Sequence, residues 1–143
     1  MRTFLWLSIF FSCYGMAQED PLVGQWQRMG FYIHECGTDK VISTDVGTAG
    51  FIEKFRADGT WEVLKSSWKG NWQRLEDNTY RFVTESRFMG RSISSVDTIR
   101  VEFQENDLKL YRITCDTVQV GDKKHHGYLL LRRLDKKQTN LGF

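Results

Sequence analysis

The chain has 143 residues, of which 41% are hydrophobic and 14% aromatic, and its 20 basic side chains nearly balance its 18 acidic ones. That length suits one domain and excludes a catalytic α/β barrel or a two-domain enzyme. The interspersed charges lack the clustered basic footprint of a nucleic-acid-binding protein, and the aromatic content with a single proline excludes a disordered chain. We therefore expect one folded domain that binds no nucleic acid.

The first 17 residues follow the three-part pattern of a secretory signal peptide. Arg2 supplies a positive charge, residues 4–11 are almost wholly apolar, and Gly15 and Ala17 are the small residues before a cleavage site. The apolar run is too short to span a bilayer, and no later segment approaches the required length. We therefore predict an exported protein, periplasmic or secreted, with no transmembrane segment and with residues 18–143 as its mature domain.

The three cysteines bear on the compartment. Cys13 offers a minor alternative to simple cleavage, because Phe10-Phe11-Ser12-Cys13 weakly resembles a lipoprotein cleavage box that would make the cysteine a lipid anchor. Cys36 and Cys115 remain in the mature chain, where an oxidising compartment and an even count favour a disulfide. Two separate thiols are the alternative. No C-x-x-C spacing exists, which excludes a zinc or redox site of that kind.

Alternation of apolar and polar side chains with a period of two recurs along the mature chain, whereas no segment of useful length shows a helical period. Compact turn signals at 57–59, 76–78 and 105–107 each separate two such runs and predict hairpin tips. The predicted strands are, in order, Leu22–Glu35, Gly50–Arg56, Thr60–Lys65, Lys69–Leu75, Thr79–Met89, Ile93–Gln104, Leu108–Thr117 and Gly127–Leu134.

Short links between neighbouring strands predict an all-β fold, a single antiparallel up-and-down β-barrel of about eight strands. An open meander would leave two exposed edges, so we expect closure by pairing of the first and last strands. The three hairpin tips fall at one end, and the two long connections, Cys36–Ala49 and Val118–His126, fall at the other. The barrel should therefore have a closed base and an open mouth fringed by loops.

Short motifs along the chain carry a family resemblance. Leu22-Val23-Gly24-Gln25-Trp26 places a G-x-W motif at the start of the first predicted strand. Phe55-Arg56-Ala57-Asp58-Gly59-Thr60-Trp61, Gly70-Asn71-Trp72 and Tyr80-Arg81-Phe82 follow it in order. Together, over Leu22–Leu134, these segments resemble the recurrent pattern of small bacterial lipocalin-like domains of the calycin superfamily. Avidin-like and fatty-acid-binding-like barrels share the G-x-W feature and stand as alternatives.

The resemblance implies structural roles at the base of the barrel. Gly24 and Trp26 match the motif whose tryptophan plugs the base, and Arg132 or Arg133 matches the cationic side chain that packs across it. The resemblance also implies binding or transport of a small, largely apolar molecule. It does not specify that molecule, because one fold serves many ligands. We expect no cofactor.

Alternation within the predicted strands assigns one set of side chains to the lumen. Aromatic walls with a few polar groups suit a small apolar or amphipathic ligand, and a lumen of about 300 Å³ or more would favour such binding. The alternative is a filled barrel with internal salt bridges, for example between Arg112 and Asp97 or Glu53. The predicted lumen residues are Phe51, Glu53, Phe55, Trp61, Val63, Trp72, Tyr80, Phe82, Thr84, Ser86, Phe88, Asp97, Ile99, Val101, Phe103 and Arg112.

No pattern in the sequence predicts a metal site or an enzyme. His34, His125 and His126 are expected near the mouth, but their spacing has no specificity for a metal, and no catalytic motif is present. The leading hypothesis is therefore an exported barrel that binds a small molecule. The alternative is a cell-envelope protein-interaction or inhibitor module that has a packed lumen and acts through the two mouth loops.

Overall fold

The computed structural model describes residues 18–38, 40–113, 119–120 and 123–134. The predicted leader, Cys13 and Cys115 lie outside the described residues. No described helix is long and apolar enough to cross a membrane. The described strands are β1 (Gly24–Glu35), β2 (Val41–Asp45), β3 (Ile52–Phe55), β4 (Thr60–Val63), β5 (Lys69–Glu76), β6 (Thr79–Phe88), β7 (Arg91–Gln104), β8 (Asp107–Ile113), β9 (Gln119–Val120) and β10 (Lys123–Arg133).

Eight of these strands form a closed antiparallel ring. Each strand from β3 to β7 pairs with the strand that follows it, and β8 pairs with β10. β1 pairs with β3 along one edge and with β10 along the other. The first and last strands of the ring pair from Trp26 opposite Arg133 to Glu35 opposite His125. The predicted all-β, up-and-down architecture is therefore confirmed, including the pairing that removes the exposed edges.

The two connections predicted as mouth loops carry strands. The first contains β2, which pairs with the second half of β1, and the second contains β9 and the beginning of β10. The sequence prediction was wrong at these points because it relied on alternation. All five residues of β2 are exposed, so Val41-Ile42-Ser43-Thr44 shows only the β-branched content of a strand and no buried face.

A β-bulge in β1 changes which side chains face the interior. The pairing of β1 with β10 shifts register between Arg28 and Gly30, which inserts Met29 as an extra residue. Trp26 and Arg28 are buried before the bulge, whereas beyond it Phe31 packs against the core opposite Leu129. Without the bulge, alternation would have directed Phe31 to the outer surface.

The base half of the barrel is packed solid. Its centre is an aromatic cluster in which the rings of Phe55, Trp61 and Phe82 lie 6.0 to 6.2 Å apart, with Phe82 edge-on to both of the others. Closer to the hairpin tips, the Tyr80 hydroxyl donates a hydrogen bond to Asp20 Oδ1 at 2.9 Å. The buried apolar core comprises Leu22, Trp26, Phe55, Trp61, Val63, Trp72, Tyr80, Phe82, Ile99, Val101, Leu108, Leu110, Leu129 and Leu131.

Candidate functional site

Above this core the lumen holds a cavity of about 370 Å³. Its walls combine aromatic and aliphatic side chains with two arginines and several hydroxyls, and they come from both sides of the ring. Trp61 belongs both to the cavity wall and to the packed core, so its ring marks the boundary between them. The lining residues are Arg28, Phe31, Thr48, Trp61, Trp68, Thr84, Ser86, Ile93, Ser95, Arg112 and Leu129.

Arg28 is the most deeply buried cation described in the barrel, with 4% of its side chain exposed. Its Nε donates to Glu53 Oε1 at 2.6 Å, and Glu53 itself is 1% exposed. The guanidinium carbon lies 5.1 Å from the centre of the Trp68 ring, within cation–π distance. A buried charge is tolerated only when it is paired, so Glu53 both neutralises Arg28 and fixes the direction of its guanidinium.

Arg112 contributes the second guanidinium to the cavity wall from β8. Its nearest described carboxylate oxygen is Asp97 Oδ2, 3.9 Å from Nη1, which is too far for a hydrogen bond. Burial lowers the pKa of Arg112, and the nearby Arg28 cation acts in the same direction, whereas the Glu53 and Asp97 carboxylates oppose this shift. An arginine nevertheless stays protonated in proteins, so the cavity wall contains two positive charges.

Two further polar atoms in the cavity wall lack partners. The Trp61 indole nitrogen and the Thr84 hydroxyl are both buried, and neither has a hydrogen-bond partner among the described residues. Buried polar groups in native proteins are nearly always hydrogen-bonded, so unpaired atoms of this kind require an explanation. Both side chains line the same cavity as the two arginines.

The cavity adjoins a wider hollow at the mouth. This second hollow, which we call the vestibule, has a volume of about 680 Å³ and shares Ser86 and Ile93 with the cavity. Its wall is rich in serine and carries charges of both signs. The complete lining is Ser66, Ser67, Lys69, Glu85, Ser86, Arg87, Ser92, Ile93 and Ser94. The cavity and the vestibule are therefore adjacent, the first with a mainly apolar lining and the second with a mainly polar one.

The predicted lumen residues separate into two groups. Trp61, Thr84, Ser86 and Arg112 line the cavity. Nearly all the others fill the base or surround the arginines: Glu53 holds Arg28, Asp97 lies beside Arg112, and Phe103 packs at the edge of the core. The buried members of the base are Phe55, Val63, Trp72, Tyr80, Phe82, Ile99 and Val101. The lumen is thus packed below and open above.

Phe51 and Phe88 do not lie in the cavity wall, and their assignment to the lumen needs correction. Phe51 precedes β3 and is 44% exposed, because the alternation begins only at Ile52. Phe88 is 62% exposed at the end of β6. Beyond Glu85, β6 continues to pair with β7 but no longer with β5, so this part of the hairpin is a two-stranded ribbon with no core to cover it.

Several cavity residues escaped the sequence analysis. Arg28 shares the inner face with Trp26, and simple alternation from the tryptophan would have found it. Phe31 was hidden by the bulge at Met29, and Trp68 lies in the turn before β5, where no alternation applies. The remaining lining residues outside the predicted set are Thr48, Ile93, Ser95 and Leu129.

The base of the barrel shows how the G-x-W segment is used. The guanidinium carbon of Arg133 lies 4.7 Å from the centre of the Trp26 ring, whereas Arg132 faces away and forms two hydrogen bonds with Asp107. Gly24 has a φ of 144°, a backbone conformation that strains other residues, and its added Cβ would lie 3.7 Å from Arg133 Nη2.

The histidines lie near the mouth without forming a metal site. On the outer surface His34 and His126 stack with their ring centres 5.1 Å apart, next to Tyr128. Cys36 Sγ lies 4.0 Å from His126 Nδ1, and His125 is buried on the inner side. The described residues contain no group of three or more histidine, cysteine or acidic side chains that could hold a metal ion.

Comparison with known proteins returned no family model and no curated protein that matches this chain. The class of protein is therefore described by its fold and its cavity. It is a closed, up-and-down antiparallel barrel whose lumen is packed at the base and open above.

Proposed function

We propose that this protein is an exported, lipocalin-like barrel that binds a small, largely apolar molecule in its lumen. The observation that carries the proposal is the cavity of about 370 Å³ above the packed core. Ligand sites are concave and mostly apolar, with a few polar groups that fix orientation, and their volumes begin near 300 Å³. Phe31, Trp61, Ile93 and Leu129 supply apolar wall, while the arginines and hydroxyls supply the polar groups.

The size of the cavity limits the ligand. At about 30 Å³ for each water-sized group, it accommodates about a dozen non-hydrogen atoms, as in a medium-chain aliphatic or a small aromatic molecule. The vestibule extends the accessible space towards solvent, so a longer molecule would leave its end among the serines.

The base of the barrel supports the proposed lipocalin-like character. The G-x-W segment opens the first strand of an eight-stranded ring, and a last-strand arginine packs across its tryptophan, as the lipocalin-like resemblance implied. The contact is also a physical solution to closing a barrel, because a cation over an indole ring seals the end without an unpaired buried charge.

A neutral amphipathic probe tests the proposed binding. We expect decan-1-ol to bind the mature protein and to alter its tryptophan fluorescence, because Trp61 and Trp68 line the cavity. Ser95→Trp should abolish binding by filling the lumen. The matched control is Thr98→Trp on the same strand, which places the indole at an exposed position outside the cavity wall and should leave binding intact. No binding by the wild-type protein, or equal loss in both variants, would contradict the proposal.

Native mass spectrometry of the protein from its own kind of cell is the complementary test. A non-covalent mass that disappears on denaturation would support binding and begin to identify the ligand. The same preparation tests export, because the proposal expects a chain that begins at residue 18. A lipid-modified Cys13 would instead indicate an anchored protein. A mass two hydrogens below that of the reduced chain would indicate the predicted Cys36–Cys115 disulfide.

One observation favours the second candidate, an interaction with an envelope protein. β2 is an edge strand at the mouth, and Val41 and Ile42 are each 47% exposed. An exposed edge can add a strand from a partner. A photo-reactive residue at Ile42 should then give one discrete cross-linked product in cells, whereas the same residue at Leu75, an exposed position on β5 near the base, should give none. Equal labelling at both positions would contradict this candidate.

A further inference from the structure

The cavity wall has an excess of hydrogen-bond donors. Arg28 uses only Nε for Glu53, and within the described part of the chain its Nη1 and Nη2 have no hydrogen-bond partner. The Arg112 guanidinium makes no hydrogen bond to any described group. Each guanidinium carries five N–H donors in a planar fork that matches the two oxygens of a carboxylate.

The carboxylates that balance these cations do not face the ligand space. Glu53 and Asp97 are absent from the cavity lining, so the two positive charges are nearer to a bound molecule than the two negative ones. Glu53 is almost completely buried and holds Arg28 from the side. The ion pair with Glu53 therefore fixes the position of the Arg28 guanidinium and occupies only its Nε donor.

The cavity wall also contains two buried polar atoms without a described partner, the Trp61 indole nitrogen and the Thr84 hydroxyl oxygen. The indole N–H is only a donor, and the threonine hydroxyl donates or accepts. Both atoms have almost no accessible surface, so they lie behind the cavity surface rather than on it. A ligand group that accepts several hydrogen bonds would satisfy the arginine donors and would explain why an otherwise apolar cavity retains them.

We propose that the lumen binds an amphipathic molecule through a carboxylate headgroup, which Arg28 and Arg112 hold while its apolar part packs against Phe31, Ile93 and Leu129. The inference rests on the proposed function, since it names the chemical class of the molecule that the same cavity takes. It distinguishes an acid from an alcohol or amine with the same chain.

Three probes with a ten-carbon main chain and different headgroups test the preference for a carboxylate. Decanoate should bind at least about tenfold more tightly than decan-1-ol, because charge-assisted, bidentate hydrogen bonds to arginine are stronger than those to a neutral hydroxyl. Decyltrimethylammonium should bind more weakly than either. Isothermal titration calorimetry at one salt concentration gives the three dissociation constants.

Substitutions in and outside the cavity wall test which side chains cause the preference for decanoate. Arg112→Gln should abolish the advantage of decanoate over decan-1-ol without unfolding the barrel, because the Arg112 guanidinium makes no hydrogen bond to any described group. The matched control is Arg100→Gln on β7, whose guanidinium lies over the ring of Tyr111 outside the cavity. It should keep the full preference.

The outcomes separate the two proposals. If decan-1-ol binds but decanoate binds no better, the carboxylate site is overturned and the ligand-binding barrel stands. If no probe binds, both are overturned. If Arg100→Gln removes the preference as much as Arg112→Gln does, the attraction is a general surface effect and the site is again overturned.

Discussion

Arg133 and Trp26 lie directly opposite each other where the last strand of the ring pairs with the first, and the guanidinium carbon is 4.7 Å from the centre of the indole ring. Arg133 Nη2 also donates to the carbonyl oxygens of Pro21 and Val23, and the Trp26 indole nitrogen donates to the carbonyl oxygen of Leu22. This one arginine thus connects the last strand to the segment that enters the first. The base is closed by side-chain contacts as well as by strand pairing.

Removing this arginine should destabilise the barrel more than removing its neighbour. Arg133→Ala loses the cation–π contact and two charge-assisted hydrogen bonds, and we expect a fall of about 2 kcal/mol in the free energy of unfolding. Arg132→Ala loses only an exposed ion pair with Asp107 and should cost less than about 1 kcal/mol. Urea unfolding followed by tryptophan fluorescence measures both values. Equal losses would show that the base contact contributes nothing particular to stability.

Removing one charge of the buried Arg28–Glu53 pair should destabilise the fold more than removing both charges. Glu53→Gln leaves the Arg28 charge buried without its counter-ion, and we expect a loss of about 3 kcal/mol in unfolding free energy. The double variant Arg28→Met with Glu53→Met removes both charges and should recover most of this loss, because apolar side chains of similar length fill the space. A thermodynamic cycle with both single variants measures the coupling. Additive losses would contradict the expected coupling.

The ring of strands was predictable because the sequence features that specify it, alternation and turn residues, are local. Tyr80, Phe82 and Thr84 alternate with exposed side chains, and each tight hairpin tip contains turn-forming residues, so both strands and connections are readable from the sequence. The inner residues of the base followed directly from this alternation. The closure between β1 and β10 followed from the physical cost of two exposed edges.

The cavity was less predictable because non-local features form it. The bulge at Met29 changes the inward face of β1, and nothing in the local pattern marks it. Phe88 alternates correctly but lies where β6 has lost its pairing with β5, so the sequence pattern continues beyond the core. The extent of each strand pairing decides which inward side chains are covered, and a single sequence does not contain that information.

The tip of the β6–β7 hairpin contains stored conformational strain that one substitution should release. Met89 and Gly90 both have positive φ angles, 48° and 76°, and Met89 is 88% exposed. Two consecutive positive φ angles between the paired residues Phe88 and Arg91 are typical of a type I′ turn, which favours Asn-Gly. Met89→Asn should therefore raise the unfolding free energy by about 1 kcal/mol, measured by urea unfolding.

A change at the next residue should have the opposite sign. A Cβ at Gly90 would meet nothing within 4 Å, so Gly90→Ala tests backbone strain alone, and we expect a loss of about 1 kcal/mol. If both variants shift stability in the same direction, the turn does not have the conformation described. An unchanged stability in Met89→Asn would show that methionine is not strained at this position.

The stacked histidines on the outer surface should make stability depend on pH. Burial and the neighbouring His34, with smaller contributions from the Arg100 and Lys109 cations, lower the pKa of His126 below its ordinary value of 6.5. Between the folded and unfolded pKa values the unfolded chain binds a proton that the folded chain does not. The stabilising contribution of the neutral His126 to the free energy of unfolding is therefore fully present above about pH 6.5. It is lost as the pH falls from there through the lower, folded pKa, and below that pKa the free energy of unfolding no longer changes because of His126.

Urea unfolding between about pH 7 and about pH 5 should show this loss, and His126→Gln should reduce it. The hydrogen bond from Tyr111 holds the pKa of the nearby Glu102 carboxyl below its ordinary value of 4.5, so this carboxylate stays charged over the same pH range. An NMR titration of the His126 ring protons gives the folded pKa directly. An apparent pKa at or above 6.5, or the same pH dependence in His126→Gln, would mean that stacking against His34 does not oppose protonation.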